Sequence, residues 1–596
     1  MINHLATHTG HRLHSKLAGQ VVSWLAVCIA LLWLLWTSVS WFRYHPQLPW
    51  RDLFLILDQV IGLAQQPASV ATALQWFEPH YAAHRIAVMR ALQWLDIALL
   101  DGQNRAFYLA GWGSLLLLLA LYTRLARQHF PGPGSAIFVA ALAVIWLFAP
   151  AHLWNLVNPV NISWHLALSL SLLAFWIVLR RTVGRRAVGL RYSDWGLAYL
   201  VCTVAAFCNF AGVIAWLLLP LLAWLLQPRA FIACALGSVL LTLLYTQGMA
   251  SDAALATQWE LGTPEVIQQI REQAHSALAA NHPWRIMVRS LQFLAWPLSE
   301  SWPLTAITLS SLSVLAWGVG ASQLLLARWR GVVDTPPWLV FCLLAAALCL
   351  GIALATQLGR VLQHPNHMHG PSYERYQTVV VLYWLSLSCY LVAAPALLRV
   401  PAWIKMLGVL LLAIILQHPG GRYLQQEIQS AEVAARLYSE GERSHLNGGR
   451  PMAGNRFTPE YVFSFDAFFA ERALAYRVDR ARPGLGVDVP VCAAGKVSFI
   501  NDVMTVGVGA PWFWLSRSVS VYDQQGYLSR LSPSHLGTFS PLSLLRPQLN
   551  PWQGQVSGEG ASLPLVLVLE HPWGETPWCS IDQSLFSGLA AGDVGD

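Results

Sequence analysis

Long apolar segments separated by short polar ones alternate along the chain as far as Pro419, and few of them contain a charged residue. A bilayer core requires roughly 20 consecutive apolar residues per helix, and many of these segments approach that length. The pattern therefore predicts about eleven transmembrane helices. In chain order they lie near Gly19–Phe42, Phe107–Thr123, Ser135–Ala151, Asn161–Leu179, Trp195–Phe210, Gly212–Leu226, Phe231–Gln247, Trp302–Ala327, Trp338–Leu358, Gln377–Leu398 and Trp403–Leu416. The polar break at Asn209 indicates either two helices or one kinked helix.

The pattern changes after His418-Pro419-Gly420-Gly421, a sequence that breaks helices. Beyond it, amphipathic spacing predicts a helix over Arg422–Glu442, and a start signal predicts another near Thr458–Tyr476. Short apolar runs predict β-strands at Val487–Cys492, Val519–Tyr522 and Leu563–Leu569. We therefore expect a short tail at residues 1–18, a transmembrane domain at 19–420 and a small α+β domain at 421–596.

Composition excludes an ordinary soluble domain. Of 596 residues, 56% are hydrophobic, only 11% are charged and 29 are tryptophan, whereas charged residues reach about a quarter of a typical soluble chain. The predicted fold class is an all-α polytopic membrane protein with the small α+β domain at its C-terminus. The lipid bilayer is then a partner of the chain. The net charge of +7 reflects membrane topology rather than a nucleic-acid-binding surface.

Basic residues set the predicted orientation, because loops rich in Lys and Arg stay in the cytoplasm. Clusters such as Arg180–Arg186 and Arg328–Arg330 fall in alternate loops, on the same side as Lys16. The N-terminus is therefore expected in the cytoplasm. An odd number of helices then places residues 421–596 on the outer, periplasmic side of a bacterial inner membrane.

The first outer loop, residues 43–105, holds the strongest candidates for chemistry. Apolar residues within it predict two helices along the membrane surface, over Phe54–Leu63 and Ile86–Leu100. Acids, imidazoles and guanidinium groups crowded at such a surface are expensive to desolvate, so they usually bind or transform something. The candidates are Asp52, Glu78, His80, His84 and Arg85. For Asp52, the simpler alternative is that it caps the helix that starts at Leu53.

A later outer loop, Gly359–Tyr376, carries candidate ligands for a phosphate group. Arg360 and Arg375 lie at the mouths of adjacent spans, and Tyr376 follows. Guanidinium forks suit a phosphate, although both side chains would also reach lipid headgroups by snorkelling. Three histidines of this loop offer metal ligands, but no carboxylate lies at a fixed helical spacing from them. We therefore predict no dedicated metal site.

His165 is expected one turn inside the membrane, after the polar residues His152, Asn155 and Asn161 of the preceding outer turn. A polar residue at that depth is more often functional than not. The alternative is that this group makes hydrogen bonds between helices.

Cysteine usage differs between the two parts of the chain. Seven of the nine cysteines lie in apolar spans, where burial as packing residues is the simplest interpretation. Cys492 and Cys579 lie in the predicted outer domain, where oxidising conditions allow a disulfide. Sequence alone does not show that these two residues are close.

Three of these segments resemble motifs of the GT-C superfamily of integral-membrane glycosyltransferases, and more narrowly of a group of bacterial multispan GT-C-like proteins. That group typically carries a W-x-x-H-N-E-H-R-I loop, an N-x-x-W start to the fourth span and an S-R-Y motif before a late span. The matching segments are Trp76–Ile86, Asn161–Trp164 and Tyr373–Tyr376. Ala83 stands where the motif has an acid before His84. Either Glu78 or Asp52 then supplies the carboxylate, or activity is lost.

The resemblance implies an inverting enzyme that transfers a sugar from a polyprenyl-phosphate donor to an envelope glycan, lipid or protein. Asp52 is the first candidate for the catalytic general base and Glu78 the second. The candidate substrate-binding residues are His80, His84, Arg85, Arg360, Arg375, Tyr376 and His165. No cofactor is expected, although metal use within the superfamily keeps a divalent metal as an alternative. The rival functions are a polymerase or ligase of lipid-linked glycans, a transporter and a non-catalytic envelope assembly protein.

Overall fold

A computed structural model describes most of the chain up to residue 417 and a set of strands beyond it. The described residues are 2–44, 53–64, 66–80, 84–100, 102, 104–130, 133–182, 190–247, 272, 283–296, 298–330, 336–363, 376–393, 400–417, 495–500, 503–508, 518–523, 526–533, 552–557, 565–571 and 574–581. They divide between two compact units. The first unit comprises residues 1–34, 59–95 and 106–420, and the second comprises 35–58, 96–105 and 421–596.

Helices dominate the described residues before position 418. They are α1 (Ile2–Tyr44), α2 (Leu53–Ala64), α3 (Val70–Gln75), α4 (Ala87–Leu99), α5 (Arg105–His129), α6 (Pro133–Leu147), α7 (Leu153–Val157), α8 (Ile162–Leu179), α9 (Tyr192–Cys208), α10 (Ala211–Leu226), α11 (Pro228–Thr246), α12 (Pro283–Leu294), α13 (Leu298–Ser301), α14 (Pro303–Trp329), α15 (Pro337–Gln363), α16 (Gln377–Ala393) and α17 (Ala402–Gln417). Short 3-10 turns lie at Pro150–His152, Pro159–Asn161 and Arg180–Thr182. A helix is present at every predicted span.

Length and composition qualify six described helical segments as candidate membrane spans. They are Leu17–Val39, Arg105–His129, Pro159–Thr182, Pro228–Thr246, Pro303–Trp329 and Pro337–Leu358. Shorter apolar helices occupy Gly134–Leu147, Ala211–Leu226, Gln377–Ala393 and Ala402–Gln417. The prediction of a helical multi-pass membrane protein is therefore confirmed, whereas the number of eleven spans stays a prediction.

The first unit is organised around two helices that are buried on nearly every face, α8 and α16. Helix α8 packs against α9, α10, α15 and α16. A helix that is apolar all round belongs in the interior of a bundle, and the sequence of α8 fits that description apart from a few short polar residues and His165. Large side chains fill the space around these helices, among them Trp146, Trp216 and Trp338, each almost completely buried.

The break at Asn209 separates two helices rather than kinking one. Helix α9 ends at Cys208, Asn209 is extended, and α10 begins at Ala211. A Cβ on Gly212 would lie 2.2 Å from the backbone nitrogen of Ala206, so the start of α10 touches the last turns of α9 directly. Only glycine allows this approach.

The first outer loop folds as the sequence predicts at its two ends. The predicted surface helices correspond to α2 and α4, and α3 lies between them. After α3 the chain forms a short antiparallel hairpin of β1 (Pro79–His80) and β2 (His84–Arg85). No strand was predicted here, because each strand is only two residues long.

Beyond residue 494 the described residues are strands. They are β3 (Gly495–Ile500), β4 (Val503–Val508), β5 (Ser518–Asp523), β6 (Gly526–Pro533), β7 (Trp552–Ser557), β8 (Leu565–His571) and β9 (Gly574–Ile581). They form an antiparallel sheet in the order β3-β4-β7-β6-β5-β8-β9. Two predicted strands coincide with β5 and β8. The predicted helices at 422–442 and 458–476 and the strand at 487–492 lie outside the described residues, so the α+β class stays a prediction.

Candidate functional site

The β1–β2 hairpin brings together four candidate residues of the first outer loop, namely Glu78, His80, His84 and Arg85. Its register pairs Pro79 with Arg85 and His80 with His84. Glu78 immediately precedes the hairpin, and its side chain is exposed. His84 and Arg85 are half-buried on the returning strand. Together with Arg90 of α4, the residues Glu78, His84 and Arg85 form what we call the hairpin cluster.

Hydrogen bonds from Arg85 join the hairpin to the C-terminal end of α11. Its Nε donates to the carbonyl oxygen of Tyr245 at 2.7 Å, and its two terminal nitrogens donate to the carbonyls of Gln247 and Phe77. The backbone N–H of Arg85 also donates to the Tyr245 hydroxyl at 3.1 Å. A cation placed against the last carbonyls of a helix is favoured by the helix dipole. Three of the five guanidinium N–H donors are thus used by described residues, which leaves two for a ligand.

Arg90 holds the other side of the same loop. Its Nε and Nη2 donate to Gln59 Oε1 at 3.0 and 2.9 Å, while Nη1 donates to the carbonyls of Trp76 at 2.7 Å and Glu78 at 2.9 Å. The side chain is buried. Burial lowers the pKa of Arg90 to about 10, which still leaves it protonated at neutral pH. Arg90 therefore holds the backbone at Trp76 and Glu78 in place.

Aromatic contacts seat the hairpin on the α9–α10 junction. The Phe77 ring meets Phe207 edge to face with centroids 5.2 Å apart, and the His84 ring lies 6.4 Å from that of Phe210. Between Phe207 and Phe210, Asn209 donates from Nδ2 to the Ser163 hydroxyl at 3.2 Å. Ser163 belongs to the first turn of α8, so the hairpin and the start of α8 lie at the same end of the helix bundle.

The first turn of α8 also carries a buried polar network, which we call the histidine cluster. Its members are His152, Asn155, Asn161, His165 and Thr378, and each is less than a tenth exposed. The two histidine rings stack with centroids 4.7 Å apart and their Nε2 atoms 3.0 Å apart. Thr378 Oγ1 lies 3.0 Å from His152 Nε2 and accepts from Asn155 Nδ2 at 3.0 Å. Asn161 Nδ2 donates to Asn155 Oδ1 at 3.0 Å.

The hydrogen bonds of the histidine cluster fix the tautomer of His152. Its Nδ1 lies 2.8 Å from the carbonyl oxygen of Leu147. A carbonyl only accepts, so Nδ1 carries the hydrogen and Nε2 is left as an acceptor. The Thr378 hydroxyl, 3.0 Å away, then donates to His152 Nε2, and the His152 ring is neutral. Burial lowers the pKa of His152 to about 4, which agrees with a neutral ring.

Tyr376 lies at the same end of the bundle, directly before α16. Its ring is buried and packs edge to face against Trp164, with centroids 5.2 Å apart. On its other side it contacts Phe293 of α12, at 5.4 Å between centroids. Tyr376 is therefore next to the histidine cluster. It precedes Thr378 by two residues, and the Trp164 ring that it contacts directly precedes His165.

The structure thus brings Glu78, His84 and Arg85 together and places His165 and Tyr376 at the same end of the bundle. For the other predicted residues less is described. Arg360 lies in α15 and His80 in β1, in both cases by their backbone alone, and Cys579 lies in β9 in the same way. Asp52, Arg375 and Cys492 lie outside the described residues. The predicted disulfide and the role of Asp52 therefore stay predictions.

Several residues of these clusters were not predicted from the sequence. Tyr245 and Gln247 hold Arg85, Gln59 accepts from Arg90, and Thr378 joins the two histidines. Two of these partners act through backbone carbonyls, which have no sequence signature. Thr378 is separated from His152 by more than 200 residues, and the only mark of its role in the sequence is its position just after the Tyr373–Tyr376 motif.

Among the described residues, no group of three or more His, Cys, Asp or Glu side chains is arranged to hold a metal ion. The three histidines of the loop after α15 lie outside the described residues. No protein-family model, curated protein or solved structure matches the chain.

Proposed function

We propose that the chain is a GT-C-type membrane glycosyltransferase that uses a polyprenyl-phosphate sugar as donor. The observation that supports this proposal most is the common location of the candidate residues. Four candidate residues from separate segments of the sequence lie at one end of one helix bundle: Glu78, Arg85, His165 and Tyr376. Their contacts run without interruption from the hairpin through Asn209 to the start of α8.

The hairpin cluster offers the two kinds of group that such a transfer needs. An exposed carboxylate, Glu78, stands beside a guanidinium, Arg85, that keeps two N–H donors beyond those used by described residues. In the proposed step the carboxylate takes the proton of an acceptor hydroxyl. The hydroxyl oxygen then attacks the anomeric carbon, the bond from that carbon to the phosphate oxygen breaks, and polyprenyl phosphate leaves with the electron pair. Arg85 stabilises the charge on the departing phosphate.

The proposed orientation places the hairpin cluster on the outer face of a bacterial inner membrane. The opposite end of the bundle carries Arg124, Arg180 and Arg181, as a cytoplasmic end does. In this arrangement all eleven predicted spans cross the membrane, the N-terminus is cytoplasmic and residues 421–596 are periplasmic. A lipid-linked donor then presents its phosphate at the level of the hairpin, next to an envelope glycan, lipid or protein acceptor.

The experiment compares envelope glycans from cells that carry the wild-type chain, Asp52→Asn, Glu78→Gln, or Glu570→Gln as a control acid in the C-terminal sheet. We expect loss of the catalytic carboxylate to reduce the modified glycan about a hundredfold or more, the size typical of removing a general base. Mass spectrometry measures the glycans, and immunoblotting of membranes shows that each variant inserts normally.

The result also separates the proposal from its rivals. Unchanged glycans in both Asp52→Asn and Glu78→Gln would refute the transferase. Loss of chain length with intact single sugars would indicate a polymerase or ligase instead. A change in substrate distribution across the membrane without a change in covalent linkage would indicate a transporter, and glycan changes that follow only the protein level would indicate an assembly protein.

A further inference from the structure

At the end of the helix bundle opposite the hairpin, two arginine side chains contact the ring of one tryptophan. Arg124 of α5 lies with its guanidinium carbon 5.7 Å from the Trp176 ring centroid, and Arg180 lies with its own at 5.3 Å. Trp176 is in the last turn of α8, and Arg180 immediately follows that helix. Guanidinium groups at this distance from an indole ring make cation–π contacts. Within the part of the chain that the structure describes, neither guanidinium has a hydrogen-bond acceptor.

Two nitrogen atoms of this group are buried donors without an acceptor. Neither Trp176 Nε1 nor Arg180 Nε has a hydrogen-bond partner among the described residues, although both atoms are shielded from solvent. Leaving a buried donor unpaired costs about 1–3 kcal/mol. Two such donors beside two guanidinium groups indicate that an anionic acceptor is missing.

No carboxylate of the surrounding helices supplies that acceptor. Asp194 is the only acid in α5, α8 and α9. It is already engaged, because Arg181 Nε lies 3.6 Å from its Oδ1 and the backbone N–H of Arg191 donates to Oδ2 at 3.1 Å. The group of Arg124, Trp176 and Arg180 therefore carries an excess of positive charge.

We propose that Arg124, Trp176 and Arg180 bind the phosphodiester of an anionic phospholipid headgroup. A phosphodiester has two non-bridging oxygens, and these match the guanidinium donors and the indole N–H. Helix α9, which packs against α8, presents an apolar exposed surface, since Leu197 and Leu200 are 43% and 60% exposed. That surface suits acyl chains, so the occupant is a lipid rather than a free phosphate ion. The site is independent of the proposed transferase activity.

The test uses the purified full-length chain in a non-ionic detergent and counts bound lipids by native mass spectrometry. The probes are phosphatidylglycerol, phosphatidylcholine with the same acyl chains, and inorganic phosphate. We expect phosphatidylglycerol to bind about tenfold more tightly than phosphatidylcholine. The double variant Arg124→Gln/Arg180→Gln should remove that preference. Arg330→Gln, which removes an exposed arginine at the end of α14, is the matched control and should retain it.

Trp176→Phe gives an independent arm, because it keeps an aromatic ring and both charges while it replaces the indole by a smaller ring without an N–H. It should weaken phosphatidylglycerol binding about threefold, as loss of one hydrogen bond of typical net strength does near the low end of its range. This variant decides the question even if the double variant does not fold. Equal binding of the two lipids, equal loss in Arg330→Gln, or displacement of the lipid by millimolar phosphate would overturn the proposal.

Discussion

The two polar clusters at one end of the helix bundle are stabilised in opposite ways. In the hairpin cluster, Arg85 and Arg90 donate mainly to backbone carbonyls, and Glu78 stays exposed. In the histidine cluster, side chains bond mainly to one another, and His165 is completely buried. The first arrangement fixes the course of a loop and leaves groups facing solvent. The second joins helices and leaves little for a ligand to reach.

The hairpin cluster is therefore the more accessible of the two clusters to a ligand. Both ring nitrogens of His165 already have partners, at 3.0 Å from His152 Nε2 and 3.2 Å from the Asn161 carbonyl. A role in joining α8 to α16 explains its burial, as expected for polar groups between membrane helices. Substrate binding by His165 stays a prediction, whereas Glu78 has the exposure and Arg85 has the spare N–H donors that binding requires.

The largest effect on stability should come from Thr378→Val, in the histidine cluster. Valine keeps the shape of threonine but removes the hydroxyl that contacts His152 and accepts from Asn155. These buried groups lose a partner that water does not replace. We expect the free energy of unfolding to fall by about 2–3 kcal/mol. Denaturant titration in detergent, followed by tryptophan fluorescence, measures it.

The control for that experiment is Thr308→Val. Thr308 is an exposed residue of α14 whose hydroxyl donates only to the carbonyl of Leu304, one turn earlier. Its replacement should change the free energy of unfolding by less than about 0.5 kcal/mol. Equal losses in Thr378→Val and Thr308→Val would show that the histidine cluster contributes nothing beyond an ordinary helix surface.

Arg90→Lys should have a smaller and more local effect. Lysine keeps the charge but concentrates its donors at one point, so it does not reach Gln59 and the carbonyls of Trp76 and Glu78 together. We expect a loss of about 1–2 kcal/mol. Hydrogen exchange should speed up in α3 and the hairpin while α8 and α16 keep their protection.

The contrary outcome would be equally informative. If hydrogen exchange in α8 and α16 accelerates as much as in the hairpin, the two clusters form one cooperative unit and are not stabilised separately. Arg330→Lys, at an exposed site on the same protein, should leave exchange unchanged in both regions.

The helices were predictable because their signal is local. Each predicted span is an apolar run long enough to be identified by itself, and each coincides with a helix. The short hairpin and the partners of Arg85 were not predictable in this way. Tyr245 lies 160 residues from Arg85 and accepts through its carbonyl, so neither its position nor its chemistry marks the sequence. The open alternative at Asn209 was decided by the backbone approach at Gly212, which depends on tertiary packing.

The last effect we predict concerns pH, and per pH unit it is the smallest. In the folded protein burial lowers the pKa of His152 to about 4, below its ordinary value near 6.5, and the facing titratable group is His165. The stability is therefore complete above pH 6.5 and is lost as the pH falls towards 4, because the unfolded chain binds the proton first. We expect a loss of about 1 kcal/mol per pH unit in that range from this group. Thermal midpoints between pH 8 and 4.5 measure it, and His152→Gln should flatten the slope. A variant that retains the full slope would show that His152 is not the titrating group.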